Sequence, residues 1–529
     1  MADRRTLLGT GAVLVGLSSA LITGTAVANA DTGQSDTQPA DGPSASASTP
    51  DSTPTATRAR HTGARGGSAA NPAPAAATND TATPRGRRSA AAGAADDAAL
   101  PEVKNADPVT AEAPAAPALT QAAAQPQPPA PPQKPIEERL LERALENTLA
   151  LNFDGSRFSG PGWDLLVREG ATSEFTLLGE EHGLAEVPVL ARELFKALRP
   201  AGYDTLAIEV SPPIADDLDR AARGGIEGLI QFCKTYPPGA AFYFWRTEAE
   251  LLAAARAAVP GQRPALWGLD YEMVADRRLI ARLRESAPPS AKAALDALDA
   301  ASRAAWETWR TTHNPGVLFT FSGDPELVRA VRNAWPKPDR NVAQILMTLE
   351  ETLEINRLFQ TKTWDSNERR ARLMRRNFVD HLNRAAAEGR RPKVMLKMGE
   401  NHVQRGVNWT GNFDVGSLVH EAAQIRGGKA FALLVGGGAD AHHGVLNPTN
   451  MTTADAPVDM LAQMGMSFLV KAAPSTTPVV IDMRPLRSLL GRTSNLQAFN
   501  NPEAVKNIFA FDVIVLWPRS TAAQLLVAP

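Results

Sequence analysis

Two short stretches of this chain carry the residue types of acid–base chemistry at matching spacing. Leu178-Gly179-Glu180-Glu181-His182-Gly183 and Met398-Gly399-Glu400-Asn401-His402-Val403 both read Gly-Glu-x-His. Imidazole changes charge near neutral pH, so His182 suits general-base work on water. A carboxylate within reach would fix its tautomer and stabilise the protonated ring. Glu180 and Glu181 stand beside it, and on an extended segment Glu180 and His182 share a face. The same alternation predicts Glu400 and His402 on one face.

Other residues join this set. Glu209 closes the apolar run Leu206-Ala207-Ile208, where its carboxylate would be partly desolvated. If Glu180 lies close to it, like-charge repulsion favours a shared proton or a bound cation. Asp270 repeats the pattern after Leu269, or caps the next helix. Arg192, in the helix after His182, is the expected cation, placed to orient a carboxylate or stabilise an oxyanion. Arg246 follows the aromatic run Phe242-Tyr243-Phe244-Trp245, which reads as core or cleft wall. Gly436-Gly437-Gly438 lacks the residues of a P-loop or a dinucleotide site. His442-His443 beyond it could ligate a metal, but a mobile polar loop is the simpler reading. There is no Gly-x-Ser-x-Gly elbow and no His-Glu-x-x-His helix, so the expected nucleophile is water. Cys233 is the only cysteine, which excludes an intrachain disulfide and a Cys-based zinc site. It reads as a buried small apolar residue rather than a nucleophile.

Both motifs follow apolar runs, Phe175 to Leu178 and Val394 to Met398, that read as strands. In open α/β sheets the carboxyl ends of strands are where ligands bind. Thr205–Val210 and Ala265–Asp270 read as further strands, with helices at Glu137–Leu151, Pro188–Leu198, Ile214–Ala222 and Thr247–Ala258. From Asp276 to Arg390 the strand signal stops and helical spacing takes over. Strands resume at Lys393–Met398, Ala430–Val435, Phe511–Leu516 and, more weakly, Pro478–Asp482. The expected fold is α/β: a mostly parallel central sheet, helices on both faces, and a helical insertion or cap at about residues 276–390.

The chain has 529 residues and a formal net charge of −2, with no basic excess to neutralise phosphates, which argues against nucleic-acid binding. Residues 1–30 read as a signal peptide of twin-arginine type: Arg4-Arg5, an uncharged run, then Ala28-Asn29-Ala30. The run is long enough to span a bilayer if kept, but its Gly, Thr and Ser content and its cleavage pattern favour removal. Residues 31–135 are rich in Ala, Pro, Thr and Ser and read as a disordered tether. The folded unit is expected over 136–529. No later stretch is apolar enough to span a membrane, so the expectation is an exported protein, periplasmic or extracellular, without stable membrane insertion.

The order of these motifs resembles the erythromycin esterase-like family, within a wider clan that includes ChaN-type haem-binding and TraB-like proteins. The resemblance is carried by Leu177 to Gly183, Gly202 to Glu209, Arg369 to Asn377, Lys393 to His402, Asp414 to Gly438 and Phe511 to Leu516. It implies metal-independent ester hydrolysis of a small-molecule substrate with no cofactor. His182 would be the base on water, with Glu180 and Glu209 in support, Arg192 as the helix arginine and His402 as the second-motif histidine. The spacing from Glu180 to His182 is nearer that of the ChaN-type proteins. That implies, as an alternative, haem or a divalent metal in the same cleft.

Overall fold

Short apolar runs dictate the sheet seen in the computed structural model, which describes residues 134–527 apart from 238, 474 and 475. The expected signal segment and the tether up to residue 133 lie outside the described residues. Among these, eight strands form the main sheet: β1 (Thr148–Ala150), β2 (Phe175–Glu180), β3 (Tyr203–Ile208), β4 (Leu266–Gly268), β5 (Lys393–Gly399), β6 (Ala430–Gly437), β7 (Val479–Asp482) and β8 (Val513–Trp517). Their spatial order is β1-β7-β8-β6-β2-β5-β3-β4. From β8 to β4 every pairing is parallel; β7 and β1 add antiparallel strands at one edge.

Parallel strands covered on both faces must be apolar almost throughout, and β2 is buried at every position. Alternate residues serve opposite faces. Leu178, Leu206, Met395 and Leu433 join one core with Leu190 and Leu194 of helix Glu186–Leu198. Leu177, Ala207, Leu396 and Leu434 join the other, with Phe378 of helix Thr363–Ala387 and Val419 of helix Val415–Ile425. The insertion between β4 and β5 is helical, from Asp276–Ser286 to Thr363–Ala387. No helix among the described residues is long and apolar enough to cross a membrane.

Two segments differ from expectation. The first helix stops at Glu146, and Thr148–Ala150 turns into an edge strand on β7. Leu149 fits a helical stripe, but pairing there satisfies backbone groups that β7 would otherwise leave open. His442 and His443 lie not on a loop but on a β-hairpin, Ala441–Asn447 paired with Thr452–Val458.

Candidate functional site

β2, β5 and β3 are parallel neighbours, so their carboxyl ends open on one edge of the sheet. Register sets Glu180 opposite Gly399 and Ile208 opposite Lys397. The residues that follow therefore meet. Glu209 stands at the centre, 3.4 Å from His182 Nε2 through one oxygen and 3.4 Å from His402 Nε2 through the other. His182 Nδ1 is 3.0 Å from Glu180 Oε1, and His402 Nδ1 is 2.8 Å from Asp414 Oδ2. The result is a buried chain, Glu180–His182–Glu209–His402–Asp414, in which acids and imidazoles alternate.

Gly399 makes the approach feasible. Its N–H donates to Glu209 at 2.6 Å, and a Cβ there would stand 2.9 Å from His182 Nε2. The expectation for Glu400 and His402 needs correction. Residues Glu400–Val403 form a short helical turn rather than continuing the strand. Positions two apart on a helix do not share a face. His402 consequently bonds Asp414, which also caps helix Val415–Ile425 through Val415 N–H.

Burial works against charge on His182, but Glu209 and the bond that Nδ1–H donates to Glu180 outweigh it and lift the imidazole to about 10. Burial and then Arg370 oppose charge on His402; Asp414 and Glu209 still raise it to about 10. Glu209, despite its burial, is held well below the usual carboxylate range by the two imidazoles. At neutral pH both rings are therefore cations about one shared anion. Two further carboxylates go the other way. Burial and the charge of Glu400 push Glu181 up to about 8, and burial pushes Glu400 up to about 7.

Arg192 does not reach this cluster: it pairs with Glu193 at 2.8 Å and Glu250 at 3.3 Å. The cation at the site is Arg370 of the insertion. It bonds Glu209 at 2.8 Å and grips both oxygens of Asp270, at 3.0 and 2.6 Å. Asp270 thus serves as its anchor. Lys397, wholly buried in β5, donates to Glu180 and Glu248, each at 2.6 Å. Glu180 also has His182 and stays charged; Glu248, deeply buried with Lys397 as its cation, is raised to about 7. His443, buried, bonds the His182 carbonyl at 3.1 Å and lies 3.5 Å from Glu181. His442 is exposed and pairs with Asp455.

The aromatic run does form a wall. Phe242 stacks on His182 at 4.1 Å and 12°, with φ of 63°. Arg246 is exposed beyond it. Residues 521–526 strap over this side. Ala523 N–H donates to Gly183, Leu526 N–H to Phe244, and Arg246 N–H to Gln524, each at 2.8 Å. Thr521 N–H donates to Glu186 at 3.0 Å.

Three residues of the site were missed in the sequence: Asp414, Arg370 and Lys397. Arg370 and Asp414 had a signal, since both fall in stretches that carry the family resemblance. Lys397, the one charge in the run Val394 to Met398, had a signal in its position. His443 reads in the sequence as a metal ligand or a loop residue; the hairpin instead turns it onto the His182 carbonyl and Glu181. Among the described residues, no group of three His, Cys, Asp or Glu side chains is arranged to hold a metal ion.

No family model and no curated protein matches this chain. Among solved structures it resembles an erythromycin esterase, EreC, in its open conformation, at 15% identity and a TM-score of 0.50, over 72% of this chain and 100% of that one. A Bacillus cereus protein matches at 14% identity and a TM-score of 0.48, over 74% of this chain and 100% of that one. The haem-binding ChaN of Campylobacter jejuni matches at 11% and 0.26, over 54% and 90%. The likeness to EreC establishes the fold: this chain is built on the same α/β plan.

Proposed function

We propose that this chain is an exported hydrolase that cleaves an ester or lactone with water at the His182–Glu209–His402 bridge. The observation that carries the reading is the division of charge in one buried cluster. Two imidazoles stay protonated beside carboxylates pitched near neutrality, and such divergence marks acid and base roles. His402, backed by Arg370, meets the carbonyl oxygen and stabilises the oxyanion. Glu400 takes a proton from water as its oxygen attacks the carbonyl carbon. The tetrahedral adduct then breaks its bond to the alcohol oxygen, which takes the proton of His182. Return of the proton from Glu400 to His182 restores the starting state. His182 is thus an acid at rest, whereas the sequence suggested a base.

A panel of ester and lactone substrates, run with and without chelator across pH, tests this. The value of kcat/KM should rise through pH about 7, where Glu400 ionises, and fall near 10, where His182 loses its proton. His182→Ala should lose about 10²–10⁴ in rate. Turnover of a good substrate unchanged in that variant would remove the mechanism. Activity that appears only towards pH 10 would return His182 to the role of base.

A further inference from the structure

Lys397 stands where the sheet should carry an apolar side chain. In β5 it lies opposite Leu178 of β2 on one side and Ile208 of β3 on the other, between Leu396 and Met398. It is wholly buried. Burying an ammonium costs more than burying an apolar side chain of similar length, so the core by itself gives no reason for a lysine here.

The reason lies in what it holds. Glu180 is two residues beyond Leu178, so its side chain leaves the sheet on the same face as Lys397. Nζ donates to Glu180 Oε1 at 2.6 Å, and His182 Nδ1 lies 3.0 Å from that same oxygen. On its other side Nζ donates to Glu248 Oε1 at 2.6 Å. Glu248 comes from the first turn of helix Arg246–Ala258, whose Leu251 and Leu252 join the core of Leu178. Its second oxygen has no hydrogen-bond partner among the described residues, so Lys397 is what this carboxylate holds. The alternation of acids and cations therefore runs two members further, as Glu248–Lys397–Glu180–His182. Glu180 needs such a clamp: burial works against its charge, and Lys397 and His182 keep it ionised.

We propose that Lys397, braced by Glu248, is a positioning residue for His182: it clamps the Glu180 carboxylate where that oxygen accepts from Nδ1–H, so that Nε2 stays turned to Glu209. As a part of catalysis this rests on the hydrolase reading above; as a constraint on the imidazole it stands by itself.

The test replaces the clamp by apolar side chains at both ends. Exchanging a buried ion pair for apolar residues of similar size is often neutral for stability, so Lys397→Met/Glu248→Leu should melt close to the parent. Its kcat on the best ester should fall about tenfold or more, since small misplacements of a reacting group are costly. KM should stay put, because Lys397 does not touch the substrate. In a Glu180→Gln background the same pair of changes should alter kcat by less than about twofold, as for residues that act as a unit. In full-length protein labelled at histidine with nitrogen-15, the Nδ1–H resonance of His182 should shift or broaden in the paired variant. Parent-like kcat in that variant, an equal loss in the Glu180→Gln background, or a melt far below the parent would overturn the proposal; the last would make Lys397 a structural residue. If the parent cleaves no ester, the hydrolase reading fails alone and the resonance decides: an unchanged signal overturns the positioning role, and a changed one upholds it.

Discussion

The two Gly-Glu-x-His corners share three residues of four and differ in the local geometry that follows the glycine. In the first, the strand includes Glu180, and the acid reaches His182 two residues on at 3.0 Å. In the second, the strand stops at Gly399 and a helical turn begins at Glu400, so His402 takes Asp414 from a different element. Yet the two imidazoles end up equivalent, each held by one private carboxylate and by Glu209. What matters is the backbone that follows the glycine, because it decides which neighbour an imidazole can reach. Equivalent chemistry has been assembled from inequivalent local geometry.

The severest test of that equivalence is Glu209, the one group both corners share. Glu209→Gln would leave two imidazoliums and Arg370 without their common anion. Breaking a buried pair of this kind typically costs about 3–5 kcal/mol, so denaturant melts should show a large loss, together with the loss of turnover. Next come the private partners. Asp414→Asn should lower the titration of His402 and leave that of His182 in place, as read by NMR; Glu400→Gln should lower His402 by less. If Glu400→Gln lowered it as much as Asp414→Asn does, the corners would be alike after all. Gly399→Ala should cost about 1–3 kcal/mol, because the added methyl meets His182 Nε2 at 2.9 Å.

The pH dependence of stability reports on both corners together. The two imidazoles, raised from 6.5 to about 10, stabilise the fold fully below pH 6.5 and lose that contribution as pH rises through 10. Glu181 and Glu400, raised from 4.5 to about 8 and about 7, favour the fold below pH 4.5 and lose this as pH climbs through those values. Stability should therefore decline from pH 7 to 10, and less steeply in His182→Gln. The smallest effect is expected at Arg192. Its partly exposed pairs with Glu193 and Glu250 are worth about 0–1 kcal/mol, and Arg192→Ala should keep its activity.

Much of the sheet and the heart of the site were legible from the chain alone, because apolar runs and their polar stops are local signals. Glu180, His182, Glu209 and His402 sit at strand ends, and parallel pairing makes strand ends meet. Two kinds of information were hidden. One was tertiary: Arg192 and Arg370 are both helix arginines, and only the docking of helix Thr363–Ala387 brings Arg370 to Glu209. The other was conformational: alternation holds only while the chain stays extended, and at Glu400 it does not. Lys397 was overlooked inside a run read as apolar. A fully buried ammonium is stable there because two carboxylates grip it.

The strap at 521–526 has a practical side for anyone handling this molecule. It holds Gly183, Phe244 and Arg246 main chain to main chain and donates from Thr521 N–H to the Glu186 carboxylate, so it braces the turn that carries His182 and the residues beside Phe242. A protease nick near Thr521 would loosen both at once.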